Sequence, residues 1–346
     1  MRLLVYEWCC SGGLHGPDAL AVVGDDSADG LLAEGRLMLE AVARDAAGFA
    51  GYQTTLLIDG ELSASARPQP PPGVACQEVT GGGELAALLA AAAIANAIIL
   101  VAPETAGVLA SRLALLDQAG LGDRVIGGPA AFATAAADKQ TTCQLLAAAG
   151  LPVPAGCCLA VGDPLPQGFR LPAILKARGS AGGDGLRRLS RTSDFRVPAE
   201  PARLECLAEG TPASVCCLCG PRGILPLLPM EQLFSTGGPP AFTGIRPLAA
   251  ACCGRATALA VRAIGALARA TGSLPRGWVG VDMIMGHRED GRADRLLEVN
   301  PRLTTSFVGL TRGQPGGLMQ PLLDQAVGRP TELSPWNHAA CQLLLP

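Results

Sequence analysis

LLEVNPRLTT, residues 296–305, sets a carboxylate, a carboxamide and a guanidinium at Glu298, Asn300 and Arg302, each two residues from the last, in an otherwise apolar run. Side chains two apart in a strand share a face, so these groups stand in a row while Val299 and Pro301 face the other way. Upstream, WVGVDMIM (278–285) is a second apolar run, and the intervening GHREDGRAD carries the turn signal Asp290-Gly291. A hairpin centred on Asp290 predicts that Asp282 pairs with Glu298. Two carboxylates facing across a ladder repel at neutral pH unless a cation lies between them. Asn300 completes an all-oxygen group suited to a hard divalent ion such as magnesium. Arg302 extends the row with a fork shaped for phosphate oxygens. Taken alone, the row reads equally well as the wet side of a half-covered sheet.

Three features elsewhere favour the site. ADKQTTCQLLAAAG (137–150) predicts a helix with Asp138 at its start and Gly150 at its stop, which places Lys139 in the first turn. LPAILKA predicts a strand over 172–177 with Lys176 at its end, and RGSAGGDG between Lys176 and Arg187 can fold over phosphates with little side-chain obstruction. Taken singly, each has an ordinary explanation, a solvated strand end or a common glycine loop.

The first part of the chain alternates strand and helix. RLLVY (2–6) closes on CCSGG, a helix is expected over 31–48, TTLLID (54–59) is a second strand, and PQPPPG (68–73) is a loop. A helix running into a strand over 85–102, a helix near 105–119 and RVIGG (124–128) follow. The expectation is an α/β unit with an open, mostly parallel sheet covered on both faces, ending near residue 127. The run 85–102 is as long as the shortest spanning helices, but Asn96 interrupts it and Glu84 and Pro103 bracket it, so a buried helix and strand are preferred to a membrane span.

With 346 residues, two or three packed units are expected. A net charge of -3 and 3 % aromatic residues give no electrostatic or stacking reason to bind nucleic acid or an anionic membrane. The thirteen cysteines include adjacent doublets at 9–10, 157–158, 216–217 and 252–253, which suits reduced core residues of a cytoplasmic protein better than a disulfide framework. MRLLVYEWCC is too short an apolar run for a signal peptide. These features point to an enzyme or binder of small molecules, and self-association into a homo-oligomer stays open. No G-x-x-x-x-G-K-[ST] and no G-x-G-x-x-G is present.

In their order ADKQTT, LPVPAG, AILKARGSAGGDG, ECLAEG, GVDMIM and EVNPR resemble the ATP-grasp superfamily. The resemblance implies a pre-ATP-grasp α/β domain over 1–127 and a two-lobed ATP-grasp domain over 128–325, with a small lobe near 138–210, a C-terminal lobe near 211–325 and a tail at 326–346. It implies ATP and Mg2+ (or Mn2+) as cofactors. Lys139 and Lys176 would reach the phosphates, Gly182 and Gly183 would lie in a flexible cover, and the hinge from Glu205 to Ala208 would meet adenine. Asp282, Glu298 and Asn300 would hold metal, and Arg302 would steady the transferring phosphoryl group. Thr211-Pro212 stand where several relatives carry a ribose-binding carboxylate, leaving Glu209 as the nearest acid.

More narrowly, VYEWCCSGG, the strand closing on LLID, and the run from GWVGVDMIM to EVNPRLTTSFVGL resemble the tyramine-glutamate ligases of methanofuran biosynthesis and their bacterial relatives. The turn CCSGG has one glycine fewer than that family's pattern. The implied reaction joins the glutamate side-chain carboxylate to tyramine or a tyrosine-like amine through an acyl phosphate. Glu7, Ser11, Gly12 and Gly13 would then touch substrate; a strand end with a tight turn explains the same letters. Other amino acid pairs, or a non-catalytic nucleotide-binding regulator, are the alternatives. Glu231, Gln232 and the loop after them in MEQLFSTGGPPAFTG line the acceptor pocket or merely cap a strand.

Overall fold

A computed structural model describes residues 1–23, 28–49, 51–179, 186–235 and 241–345. The first unit comprises β1 (Arg2–Glu7), α1 (Ala19–Val23), α2 (Asp29–Ala47), β2 (Gln53–Asp59), β3 (Ala75–Val79), α3 (Glu84–Ile94), β4 (Ala97–Val101) and α4 (Val108–Gln118). Its four strands form a parallel sheet in the order β3-β2-β1-β4. Strand β1 is buried on both faces, as a parallel strand covered by helices must be. Leu3 and Val5 pack with Met38, Leu39 and Val42 of α2, while Leu4 and Tyr6 pack with Leu88 of α3 and Leu109 of α4.

Helices α5 (Ala130–Ala137) and α6 (Lys139–Ala148) lead into β5 (Gly156–Leu159), β6 (Ala173–Ala177), β7 (Arg187–Leu189) and β8 (Ala202–Cys206). These strands form a small sheet in the order β5-β8-β6-β7, antiparallel at each described pairing. The rest of the chain is β9 (Thr211–Gly220), β10 (Gly223–Pro226), β11 (Met230–Phe234), β12 (Phe242–Pro247), α7 (Ala250–Thr271), β13 (Gly277–Met285), β14 (Arg295–Asn300), α8 (Ser306–Gly313), α9 (Met319–Ala326) and β15 (Leu343–Leu344). Its strands make the large antiparallel sheet β14-β13-β9-β11-β12-β15, with β10 paired to β9. One face of that sheet receives Leu259, Ala263 and Leu267 of α7 and Phe132 of α5. The other shares a core with α2, α8 and α9, so α2 is packed between the parallel and the large sheet. Asp45, half-buried near the end of α2, pins this layer by accepting from the Thr311 hydroxyl and from the amides of Leu318 (2.7 Å) and Met319 (3.2 Å).

Several expectations are met in detail. Asp138 caps α6, its carboxylate accepting from the amides of Gln140 (2.8 Å) and Thr141 (3.0 Å). The run 85–102 is an eleven-residue helix followed by a buried strand. Among the described residues one helix, α7, is long and apolar enough to cross a membrane, and its apolar face is spent on the large sheet. Others are corrected. RVIGG makes only isolated bridges, from Val125 to Ile98 and from Gly127 to Arg276, because the chain turns directly into α5. Both α5 and β3 lay outside the expected set. All thirteen cysteines are free thiols, but Cys76 and Cys158 are exposed rather than core. Cys216 and Cys219 stand at C-x-x-C spacing, yet three residues apart on a strand they face opposite cores and cannot share an ion.

Gly35, in the middle of α2, illustrates how tightly the first strand's end is packed: a Cβ there would lie 2.5 Å from the carboxyl carbon of Glu7. Alanine in mid-helix ordinarily gains about 1 kcal/mol over glycine. At this position the clash should win, and Gly35→Ala is expected to cost about 1–3 kcal/mol, measured as a lowered urea midpoint at unchanged slope.

Candidate functional site

Three neighbouring strands build the centre of the site. Ser214 on β9, Asp282 on β13 and Glu298 on β14 are direct cross-strand partners, so one row of the large sheet carries a hydroxyl and two carboxylates. The hairpin expectation therefore holds at Asp282 and Glu298. Beyond them the register shifts, Met283 facing Leu296, and Leu297 is left as a bulge beside the site. Asn300 donates from Nδ2 to Asp282 Oδ2 at 3.1 Å.

The two lysines arrive from different elements. Lys139, in the first turn of α6, brings Nζ to 3.4 Å from Glu298 Oε2. Lys176, on β6, brings Nζ to 2.7 Å from Glu205 Oε1. The other Glu205 oxygen accepts from Arg203 Nε at 2.9 Å, and Arg203 is itself tied to Gln140 and to the Pro154 carbonyl. They are the only lysines among the chain's 27 Lys and Arg residues, and both are buried. A chain that uses arginine everywhere else has kept its two ammonium groups for one place, where a compact point charge differs from a planar fork.

Burial, and after it the charge of Glu298, pushes Asp282 up to about 7. Burial alone would also raise Glu298, but Lys139 and Lys176 hold it below its ordinary value. A proton entering the pair therefore settles on Asp282. The donors fit Mg2+ or Mn2+, being oxygens of two carboxylates and a carboxamide. Among the described residues no group of three His, Cys, Asp or Glu side chains is placed to hold an ion. Asp282, Glu298 and Asn300 would hold one only together with oxygens from a ligand.

Arg302 is fixed by the first unit. Its Nε donates to both Glu104 oxygens at 3.0 Å, its Nη2 lies 2.9 Å from Glu104 Oε2, and its Nη1 donates to the Leu303 carbonyl at 3.2 Å. Glu104 follows β4 and is buried, so this contact locks a loop of the parallel sheet to the row.

A cavity of about 180 Å3 opens onto the row. Lys139, Lys176, Asp282, Glu298, Asn300 and Arg302 all line it, which unites six residues selected from the sequence. Gln232 lines it as well, whereas Glu231 is paired with Arg246 at 2.8 and 2.9 Å. Glu205 reaches the cavity only through Lys176, and Ala208 is not among its lining residues. Gly182 and Gly183 lie outside the described residues. Glu7 is buried, accepting from the Cys10 amide at 2.8 Å, and Ser11 Oγ donates to the Leu57 carbonyl at 2.8 Å. Gly12 adopts φ 94°, and a Cβ on Gly13 would strike the Trp8 indole at 2.2 Å. These four residues serve the tight turn after β1.

Sequence reasoning missed Ser214, Glu34, Thr304, Thr305 and Ser306, which also line the cavity, whereas Phe234 and Phe242, which line it too, belong to the segment 230–244 expected near the acceptor pocket. Thr304 to Ser306 directly follow the polar row and could have been found there. Ser214 is hidden in the apolar run of β9.

Comparison with known proteins places this geometry. Residues 136–306 match the family model of the ATP-grasp domain. No curated protein matches the chain. Among solved structures, an ATP-grasp superfamily protein from Archaeoglobus fulgidus is similar with TM-score 0.66 and 18 % identity, over 95 % of this chain and 90 % of that one. An L-amino acid ligase from Bacillus licheniformis gives 0.63 and 13 %, over 95 % and 75 %. N5-carboxyaminoimidazole synthase from Aspergillus clavatus, in complex with ADP and 5-aminoimidazole ribonucleotide, gives 0.62 and 14 %, over 96 % and 77 %. At these identities the likeness is one of fold, and with the family match it establishes that residues 136–306 are an ATP-grasp domain.

Proposed function

We propose that the protein is an ATP-dependent, ADP-forming ligase that joins a carboxylate to an amine. The observation that carries this reading is the convergence of the chain's only two lysines, a facing carboxylate pair and a clamped arginine on one cavity of an ATP-grasp domain. Direct condensation of a carboxylate with an amine stalls because oxide is a poor leaving group. Attack of the carboxylate on the γ-phosphorus of ATP instead forms an acyl phosphate and releases ADP. The amine then adds to the acyl carbon, the C–O bond to phosphate breaks, and the amide and inorganic phosphate leave as the nitrogen gives up its proton.

Neither step needs a protein nucleophile; positioning and charge neutralisation suffice. In this reading Lys139 and Lys176 hold phosphate oxygens, and Arg302, oriented by Glu104, steadies the transferring phosphoryl group. Asp282, Glu298 and Asn300 are the residues to hold Mg2+ or Mn2+, which when bound neutralises charge on the polyphosphate. The L-amino acid ligase and the ADP-bound synthase named above are consistent with a ligation of this class.

For the substrates we infer the glutamate side-chain carboxylate and tyramine or a tyrosine-like amine, in methanofuran-type cofactor synthesis. The motifs from VYEWCCSGG to EVNPRLTTSFVGL support this pair, and the apolar wall formed by Phe234 and Phe242 suits an acceptor with an apolar body. Another amino acid pair is the alternative reading. A purely regulatory nucleotide binder is disfavoured, since both lysines and the row of Asp282, Glu298 and Asn300 are retained.

Incubation with ATP, Mg2+, glutamate and a panel of amines is expected to yield ADP, phosphate and an amide identified by mass spectrometry. Absence of any nucleotide turnover across the panel would argue against a ligase. Asp282→Ala and Glu298→Ala should each lower phosphate release by roughly 100-fold or more, with far-UV circular dichroism unchanged.

Both lysines should be shielded by the nucleotide. Amine-directed acylation followed by peptide mass analysis is expected to show Lys139 and Lys176 modified slowly in the bare protein and several-fold more slowly with Mg2+ and a non-hydrolysable ATP analogue. Equal modification with and without the analogue would contradict phosphate binding there.

Affinity for the metal–nucleotide complex should depend on pH through Asp282. Its pKa in the fold lies above its ordinary value, so the bare fold loses stability as pH rises from about 4 towards 7. A cation needs the ionised carboxylate and must displace its proton below about 7. Apparent affinity should therefore fall as pH drops below that value, by up to about tenfold per unit, measured by titration calorimetry between pH 8 and 5.5.

A further inference from the structure

Residues 337–345 dock along the back of the cavity wall. Leu343 and Leu344 pair with Ile245 and Gly244, so β15 covers the edge of β12. Glycines on two elements make room for the segment. A Cβ on Gly244 would lie 2.1 Å from the Leu343 carbonyl oxygen, one on Gly309 2.5 Å from the Cys341 carbonyl oxygen, and one on Gly313 1.9 Å from the Cys341 sulfur. The Asn337 amide donates to the Gly313 carbonyl at 2.8 Å, and Cys341 is fully buried.

Both elements so engaged lead straight into the site. Helix α8 begins at Ser306, which with Thr304 and Thr305 lines the cavity. Strand β12 begins at Phe242, whose ring meets that of Phe234 edge-on at 6.1 Å on the opposite wall. The register between β11 and β12 shifts here, since Leu233 faces Gly244 while Phe234 faces Phe242. Thr243 is the extra residue, and its carbonyl accepts from the Leu345 amide at 2.8 Å. A bulge re-aims its neighbours, and this one is held from behind by the docked segment.

We propose that residues 337–345 are a positioning strap for the ligation site. By filling the glycine groove of α8 and holding the bulge at Thr243, the segment sets the Phe234–Phe242 wall against Thr304–Ser306. The strap acts on the carboxylate and amine rather than on ATP, because among the described elements its strand β15 packs on β12 and α8, whereas the lysines stand on α6 and β6. The substrate assignment rests on the ligase reading; the placement of the wall does not.

The test uses Gly313→Ala in the full chain, whose added methyl meets the Cys341 sulfur. Loss of hydrogen-exchange protection at the Leu345 amide reports release of the strap. Release should be accompanied by lost protection across 242–247 and by roughly a tenfold rise in KM for the carboxylate or amine, with KM for ATP within about twofold. Gly313→Ala combined with Cys341→Ala should restore both. Leu345→Pro removes the donor to Thr243 at a partly buried position and adds no atom at Gly313, so it reads the bulge even if Gly313→Ala does not fold, and should shift the same quantities by a smaller factor. Released strap with unchanged protection over 242–247 overturns the proposal, as does an unchanged substrate KM in an active enzyme. A wild-type protein without turnover speaks against the ligase reading alone, and the exchange measurement still decides the strap.

Discussion

Asp282 and Glu298 are held face to face by the register of one hairpin, and the site is organised around the repulsion between them. Two like charges in that position weaken a sheet unless a cation intervenes. The surrounding groups treat the two unequally. Lys139 and Lys176 keep Glu298 charged, while Asp282, with Ser214 on one side and the Asn300 amide on the other, takes the proton when one is available. A sheet selected for stability alone would place an alternating pair of β-branched residues there. On the proposed reading, the retained repulsion makes the row a place that a bound cation improves, and it ties occupancy of the site to the ionisation of a single carboxylate.

The layers carry that row into contact with the first unit. Helix α2 lies between the parallel and the large sheet, and Asp45 at its end anchors α8 and α9 through three hydrogen bonds. Glu104, following β4, grips Arg302 from the same side. Removing one partner of a buried ion pair typically costs about 3–5 kcal/mol, because the other charge is left alone. The orientation of Arg302 is therefore a property of the whole assembly rather than of β14 and its turn.

What the letters revealed follows from the distance over which each interaction acts. The hairpin from Trp278 to Asn300 is local: two apolar runs, a turn signal between them and period-two polar residues suffice to place Asp282 opposite Glu298. The cap at Asp138 and the strand ending at Lys176 are local as well. Glu104 is 198 residues from Arg302, and no pattern near either one announces the other. Ser214 reads as part of an apolar strand because its own neighbours are buried and only the strand beside it carries the site. Strand β3 escaped because it is mostly exposed and lacks a clean apolar alternation. Glu7 and Ser11 read as substrate groups or as a strand end with a tight turn, and in the fold both make contacts of that turn.

The two lysines bear on the same question from composition. Apart from three histidines, arginine supplies every other basic side chain, including the partners of Glu84, Glu104, Asp138 and Asp294, where a planar fork answers a carboxylate. At positions 139 and 176 the requirement is different, a compact charge that can meet Glu298 or Glu205 and still turn towards oxygens entering the cavity. An ammonium on a flexible stem has three rotatable donors and can exchange partners in this way, whereas a guanidinium committed to a bidentate contact cannot. The choice of lysine at these two places, in a chain that avoids it elsewhere, is thus a statement about exchange of partners. On the proposed reading, the groups that balance the bare site are the ones that receive the phosphates.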